Sequence, residues 1–527
     1  MTSMLITNAH ILTMDSQRSV AESMLVEDGL ITAVGTNLEI ARYASPTAGR
    51  LDARGQTILP GFIDAHTHLE LTTYSEFFWR NVKLFSVEET LASLREETKR
   101  TPSGEWVVLQ ATFGQELPTL EQLDRIAPRH PVAIRWTMHK FQLNTPALTR
   151  CSLTPSTALP PGVRLGAAAD GSLNGIVEEG WDLLDWEHPL AEALEPKLRQ
   201  LLQTYFLPHG VTTICEVTAS SAGVRSFQRL AQSGNVPRIG LAFTAAPGHQ
   251  PMVDIEAFSR MGMGTGFGSD RVWVQAIKIF LDGGRDGAFR KHLMDHQCAD
   301  WGLLTRTPAQ LAQELLAATS AGLQVWTHAI GDLAQEIALS AVEKVHAAYP
   351  GLDHRLRIEH FFNESFGTAQ LERLHAAGGI AVPNPGFVWA EPDEVEHRLP
   401  AGADKYRLRT LKELTGLVPG NSDTAGAQPA SCNPWFIIGC MTQQRNRNGI
   451  DIAPFERLTL DQALEAFTRD AAYSIKKEDS IGSLEAGKFA DFSIVDKNPF
   501  AVETSDLHSI KTLSTYIHGQ SVFEHGE

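Results

Sequence analysis

The stretch GFIDAHTHL, residues 61–69, sets the reading of the whole chain. Phe62, Ile63 and Ala65 mark an apolar strand, and side chains alternate along a strand, so His66 and His68 point to the same side. Imidazoles so placed are near enough to share one metal ion, and two polar rings on a buried face require partners. Further apolar runs occupy residues 211–217, 236–242, 272–280, 323–328, 355–360, 379–383 and 417–423. Helical patterns at 308–321, 333–348 and 364–377 alternate with them, and 460–472 would close the set. That alternation predicts a parallel α/β fold, and eight strands are what a (β/α)8 TIM barrel needs.

The two ends have a different texture. Residues 3–60 hold short strand-like runs, with Asp28-Gly29 between two of them as a hairpin signal, and 487–527 repeat the pattern. A small β-sandwich domain made from 1–60 and 483–527 is therefore expected around a barrel spanning 61–482. Residues 73–196 are too long for one strand-to-helix connection and read as an inserted subdomain after strand one, with strand-like runs at 106–110 and 132–136.

Composition narrows the partners. The 527 residues are 43% hydrophobic and 20% charged, ordinary globular values. Lys plus Arg number 45 against 62 Asp plus Glu, a net charge of −17 that argues against nucleic acid and anionic membranes. The five cysteines, Cys151, Cys215, Cys298, Cys432 and Cys440, form no CxxC pair, which speaks against a disulfide framework or a cysteine zinc site. The first residues lack the pattern of a signal peptide, and no run approaches the roughly 18 apolar residues of a membrane span, so a cytoplasmic location is expected. A homo-oligomer stays open.

Chemistry gathers at the ends of the other strands. Lys278 lies in VWVQAIKIFLDGG among apolar neighbours; it either snorkels or pairs with Asp282, or it stays neutral. A neutral amine can take up carbon dioxide to become a carbamate, an anionic ligand able to bridge two metals. His328, His360 and Asp423 each end an apolar run, and barrel active sites are built where strands end. Six such groups in strand order are hard to assign to packing.

This set resembles the amidohydrolase superfamily, and within it the YtcJ-like branch of the amidohydrolase-3 family, which includes N-substituted formamide deformylase. The likeness rests on PGFIDAHTHLE (60–70), IKIFLDGG (277–284), THAIGD (327–332), RIEHF (357–361), NSDT (421–424) and SIGSLEAGKFADFSIVDKNP (480–499), and covers nearly the whole chain. It implies that His66, His68 and Asp423 hold one of two divalent metal ions, His328 and His360 the other, with carbamylated Lys278 bridging. Zinc suits such ligands, though manganese, cobalt and iron do so as well. It further implies attack by a bridging hydroxide on a carbonyl, with Asp423 as the base that later protonates the leaving amine. Gly284 departs from the family, where a serine is usual. His139, in the insert's WTMHKFQLNTPAL, matches a histidine of the family's insert.

The expected activity is metal-dependent hydrolysis of a non-peptide C–N bond: an N-substituted amide, formamide, carbamate or cyclic amide. Ester or lactone hydrolysis, a mononuclear deaminase-type reaction and a non-catalytic scaffold are the alternatives. Phe77, Phe78, Trp79, Trp106, Phe113, Trp136, Phe141, Trp181 and Trp186 supply enough aromatic surface around the insert for an apolar or aromatic amide. His139, Asp282 and Trp79 are the candidate substrate contacts.

Overall fold

Strands buried on both faces are written as nearly continuous apolar runs, and the central sheet follows that rule. The computed structural model describes residues 3–81, 86–111, 116–185, 188–245, 253–291, 301–362, 367–391, 405–425 and 432–526; Phe113, Trp186 and Cys298 lie outside them. Seven parallel strands form one curled sheet in chain order: β1 (Phe62–Thr67), β2 (Val211–Thr218), β3 (Arg238–Thr244), β4 (Val272–Phe280), β5 (Gln324–His328), β6 (Arg357–Glu359) and β7 (Ile380–Val382). Helices Ser221–Gln232, Ile255–Arg260, Pro308–Ser320, Asp332–Ala348, Thr368–Ala376 and Leu408–Thr415 follow β2 to β7 in turn. Register places Phe280 opposite His328, and His328 opposite Glu359, so the strands carrying the candidate ligands end level with one another.

The eighth expected strand, 417–423, is not a strand. Pro419 has no N–H to donate, and Asp423 has φ +45°, which no strand tolerates. The segment is nonetheless bonded to both edges of the sheet. Toward β1, Ala65 N–H donates to Gly420 O (3.2 Å), Asp423 N–H to His66 O (2.9 Å) and His68 N–H to Thr424 O (2.8 Å). Toward β7, Asn421 Nδ2 donates to Pro383 O at 2.8 Å. Asp423 is thus carried on an irregular strap whose shape is set by side chains.

The chain ends meet in one six-stranded sheet, where Phe492–Val495 pairs antiparallel with Thr57–Pro60 and Ile58 faces Ile494. A four-stranded sheet of residues 3–52 packs on it, with Ile6, Met24, Val26, Ile58, Phe492 and Ile494 in one apolar cluster. Asp28 and Gly29 turn the hairpin with φ +47° and +81°, and a Cβ on Gly29 would lie 2.2 Å from the His518 ring. Between β1 and β2 a further six-stranded sheet spans Arg80 to Glu178. The sequence showed only two of its strands, because the others are short and half-polar. Among the described residues no helix is long and apolar enough to cross a membrane.

Candidate metal centre

His66 is fully buried, and its ring is held from behind. Nδ1 donates to Glu359 Oε2 at 2.7 Å, and Glu359 in turn receives Arg357 Nε (2.6 Å) and Nη2 (2.9 Å). A carboxylate on one ring nitrogen fixes the tautomer and turns the other, Nε2, toward the centre. There His66 Nε2 lies 3.6 Å and His68 Nε2 3.2 Å from Asp423 Oδ1. Ligand atoms of His66, His68 and Asp423 all fall within 4.8 Å of one another. Asp64, buried below, accepts from the N–H groups of Ser422 (2.9 Å) and His66 (3.4 Å), tying β1 to the strap; burial pushes its carboxyl up to about 7.

Lys278, fully buried on β4, points its amine at the same place, 3.3 Å from His66 Nε2. Burial lowers its pKa to about 8, so a neutral amine is accessible near physiological pH. Asp282 Oδ1 lies 3.6 Å from His328 Nε2, and its carboxylate accepts from the N–H groups of Phe289, Ile330 and Gly331 at 2.9–3.0 Å, clamping the loops after β4 and β5.

His328 and His360 form the other half, with ring centroids 4.4 Å apart. His328 donates through Nε2 to Gly283 O at 3.2 Å, while its Nδ1 is buried without a hydrogen-bond partner. His360 Nδ1 is also buried without one, 3.7 Å from Asp423 Oδ2. His360 adopts φ +66°, a conformation costly for a residue with a Cβ, and this swings its ring out of the strand alternation toward Asp423. Burial holds His68 and His360 near pKa 3 and His328 well below the usual imidazole range, so the rings are neutral with lone pairs free to ligate. Burial alone would raise the Asp423 carboxyl, but the facing rings of His66, His68 and His360 hold it well below the ordinary carboxylate range. Two orphaned buried ring nitrogens beside an ionised carboxylate are groups that a divalent cation would satisfy.

Beside His68 opens a cleft walled by Leu71, Tyr74, Met138, Trp181, Val217 and Phe280. Tyr74 turns its hydroxyl away to Glu70 (2.5 Å), and Trp181 Nε1 donates to Met138 O (2.6 Å), so the cleft meets ring faces rather than these polar ends. Trp79 stands behind, 6.2 Å from Trp181, with the Arg135 guanidinium 5.5 Å from the Trp79 ring and 4.9 Å from that of Trp181. His139 lies 5.0 Å from the His328 ring and 6.0 Å from Phe280, its Nδ1 on Glu179 Oε1 at 2.8 Å.

Comparison with known proteins now decides the family, for a model described as "Amidohydrolase family" matches residues 50–523. The chain belongs to the amidohydrolase family. This amidohydrolase is 26% identical over 556 residues to N-substituted formamide deformylase of Arthrobacter pascens, covering 99% of each chain. It is 26% identical over 539 residues to the putative amidohydrolase YtcJ of Bacillus subtilis, covering 98% of each. Its fold matches an uncharacterized metal-dependent hydrolase of Pyrococcus horikoshii with TM-score 0.73 at 21% identity, covering 95% of this chain and 99% of that one. It is a hydrolytic enzyme, and the family implies a divalent metal ion.

All six expected ligands of the amidohydrolase converge on one buried cluster. Sequence reasoning overlooked Glu359 and Asp64, which bond the His66 ring and its backbone, Glu179, which bonds His139, and Asn384, whose Nδ2 lies 3.3 Å from Asp423 Oδ2. Arg357 and Glu359 carried a signal, since two charges two apart on a buried strand must face inward and find partners. Of the aromatic residues singled out for a substrate pocket, Trp181 lines the cleft, and it is joined there by Tyr74, Met138 and Phe280, which were not read as pocket residues. Gly284 is explained by packing, because a Cβ there would lie 2.7 Å from His139.

Proposed function

We propose that this amidohydrolase cleaves a non-peptide C–N bond, in an N-substituted amide or formamide with an apolar or aromatic substituent, at a centre of two divalent ions. His66, His68 and Asp423 would hold one ion, His328 and His360 the other, and Lys278 as its carbamate would lie between them. Zinc matches the imidazole and carboxylate donors. Such ions activate water at neutral pH and polarise a carbonyl oxygen.

The chain's own residues supply the rest. Asp423, ionised and facing the centre, takes the proton of the attacking water and returns it to the nitrogen as the C–N bond breaks, leaving acid and amine. Glu359 and Arg357 fix the His66 ring. The apolar walls of Leu71, Tyr74, Trp181 and Phe280 beside His68 would face the apolar substituent, the cleft widening from its volume here of about 30 Å³. His139, set by Glu179 near His328, stands where a substrate would be touched. In this reading residues 61–482 form the catalytic barrel, about 73–196 its insert, and 1–60 with 483–527 the small β domain.

One observation carries the proposal: four imidazoles, a carboxylate and a lysine amine from five separate stretches of chain meet in one buried cluster, two of the rings with orphaned nitrogens. The test is a panel of N-alkyl and N-aryl formamides, other amides, and esters, assayed with zinc, manganese or cobalt. Amide turnover that disappears in His66→Ala supports the reading; turnover of esters alone, or of nothing, contradicts it.

A further inference from the structure

The two oxygens of Asp423 face different neighbours. Oδ1 is turned to His68 Nε2 (3.2 Å) and His66 Nε2 (3.6 Å); Oδ2 is turned to Asn384 Nδ2 at 3.3 Å, with His360 Nδ1 farther off at 3.7 Å. Asn384 is buried and stands just past the end of β7, across the strap from β1. Its orientation is dictated by a second buried amide. Asn421 Nδ2 donates to Pro383 O (2.8 Å) and Pro419 O (3.3 Å), which commits that nitrogen to carbonyls and leaves Asn421 Oδ1 facing Asn384. Asn384 answers with Nδ2, donating to Asn421 Oδ1 at 2.8 Å, and the same nitrogen reaches Asp423 Oδ2. His66 and His68 act on Oδ1, and His360 Nδ1 at 3.7 Å makes no hydrogen bond to Oδ2, so the rings leave the carboxylate plane undefined, because a carboxylate rotates broadly about its last torsion. A donor on Oδ2 defines that plane.

We propose that Asn384, locked by Asn421, is a positioning residue for proton delivery: it holds the Asp423 carboxyl so that Oδ1 stays with His66 and His68 while Oδ2 hands the proton to the leaving amine. The inference rests on the hydrolytic role proposed above for Asp423. As the C–N bond breaks, its electron pair stays on nitrogen and the proton on Oδ2 joins that pair, giving a neutral amine and restoring the Asp423 carboxylate. A mispositioned Oδ2 harms this step in proportion to how much the leaving group needs the proton.

The experiment compares wild type, Asn384→Ala and Asn384→Asp on N-hexylformamide, formanilide, 4-nitroformanilide and 4-nitrophenyl acetate, with metal content and melting temperature measured alongside. Asn384→Asp keeps the shape and replaces the donor with a carboxylate, so the assignment survives even if the alanine variant folds poorly. The expected result is a kcat fall of about 10- to 100-fold on N-hexylformamide, shrinking along the series to less than about 3-fold on the nitrophenyl ester, which leaves unprotonated. KM and metal content should be unchanged. An equal loss on every substrate, or loss of metal from both variants, would overturn the inference while leaving the proposed function standing. A wild type inactive on all four would overturn both.

Discussion

The two halves of the centre are held in different ways. Around His66 and His68 side chains do the bracing: Glu359 and Arg357 hold one ring, Asp64 holds the backbone, and Asp423 faces both, with Arg357 Nη1 the one nitrogen of these residues buried without a partner among the described residues. Around His328 and His360 the rings are placed by main chain, through Gly283 O and a left-handed backbone at residue 360, and each keeps a buried Nδ1 without a partner. A buried polar atom left unsatisfied costs on the order of 1–3 kcal/mol. In the first half the ring itself is held by an acid and the orphaned nitrogen belongs to the Arg357 behind it; in the second the orphaned nitrogens are on the rings, where a cation would relieve them.

The largest effects that could break this contrast are on activity. Asp423→Asn and His66→Ala should each reduce turnover by about 10²- to 10⁴-fold or more, since the first removes the proposed acid–base group and the second a proposed ligand of the braced half. His328→Ala should also lose activity while retaining the ion proposed for His66, His68 and Asp423, read as metal per chain after dialysis. Loss of all metal from His328→Ala would mean that the halves are not independent.

Stability of the chelator-stripped protein separates them more sharply. Glu359→Ala leaves Arg357 buried without its acid and His66 without its brace, and should cost about 3–5 kcal/mol in a denaturant titration. His360→Leu removes an orphaned nitrogen and replaces a ring with an apolar side chain, so it should cost less than about 1 kcal/mol. Equal losses would show that the second half is as firmly braced as the first.

A smaller effect lies in pH. His68 and His360 are held near pKa 3, below the ordinary value of 6.5, so the unfolded chain takes up these protons before the folded one does. Stability of the metal-free protein should accordingly fall as pH drops from about 6.5 toward 3, by at most about 1.4 kcal/mol per pH unit for each ring, and be flat with respect to these rings above 7. His360→Leu should make the slope shallower; an unchanged slope between pH 6.5 and 5 would count against neutral burial of that ring. Smallest of all, Gly284→Ser should press on His139 and cost about 1–2 kcal/mol, raising KM more than it lowers kcat.

The same contrast explains what could be read in advance. His66 and His68 obey strand alternation, and seven of the eight apolar runs became strands, so the braced half was legible from period two alone. His328 was legible as a strand end. His360 and Asp423 were read in the same way, as residues ending apolar runs, but their φ values of +66° and +45° are tertiary choices that no local pattern encodes. The strap defeated the strand reading because Pro419 and the side-chain bonds of Asn421 replace ladder hydrogen bonds. Glu359 and Asn384 act across the sheet, on partners 293 and 39 residues away, and such pairings exist only once the chain has closed.

Metal stoichiometry during reconstitution is the most direct test of the two-ion centre. Protein stripped by chelator would be titrated with zinc under bicarbonate, following bound metal and turnover of an N-substituted formamide together. The account predicts two ions per chain, activity that appears with the second, and reduction to one ion in His328→Ala and in His360→Ala. A wild type that saturates at one ion with full activity, and a Lys278→Ala variant that matches it, would contradict the account.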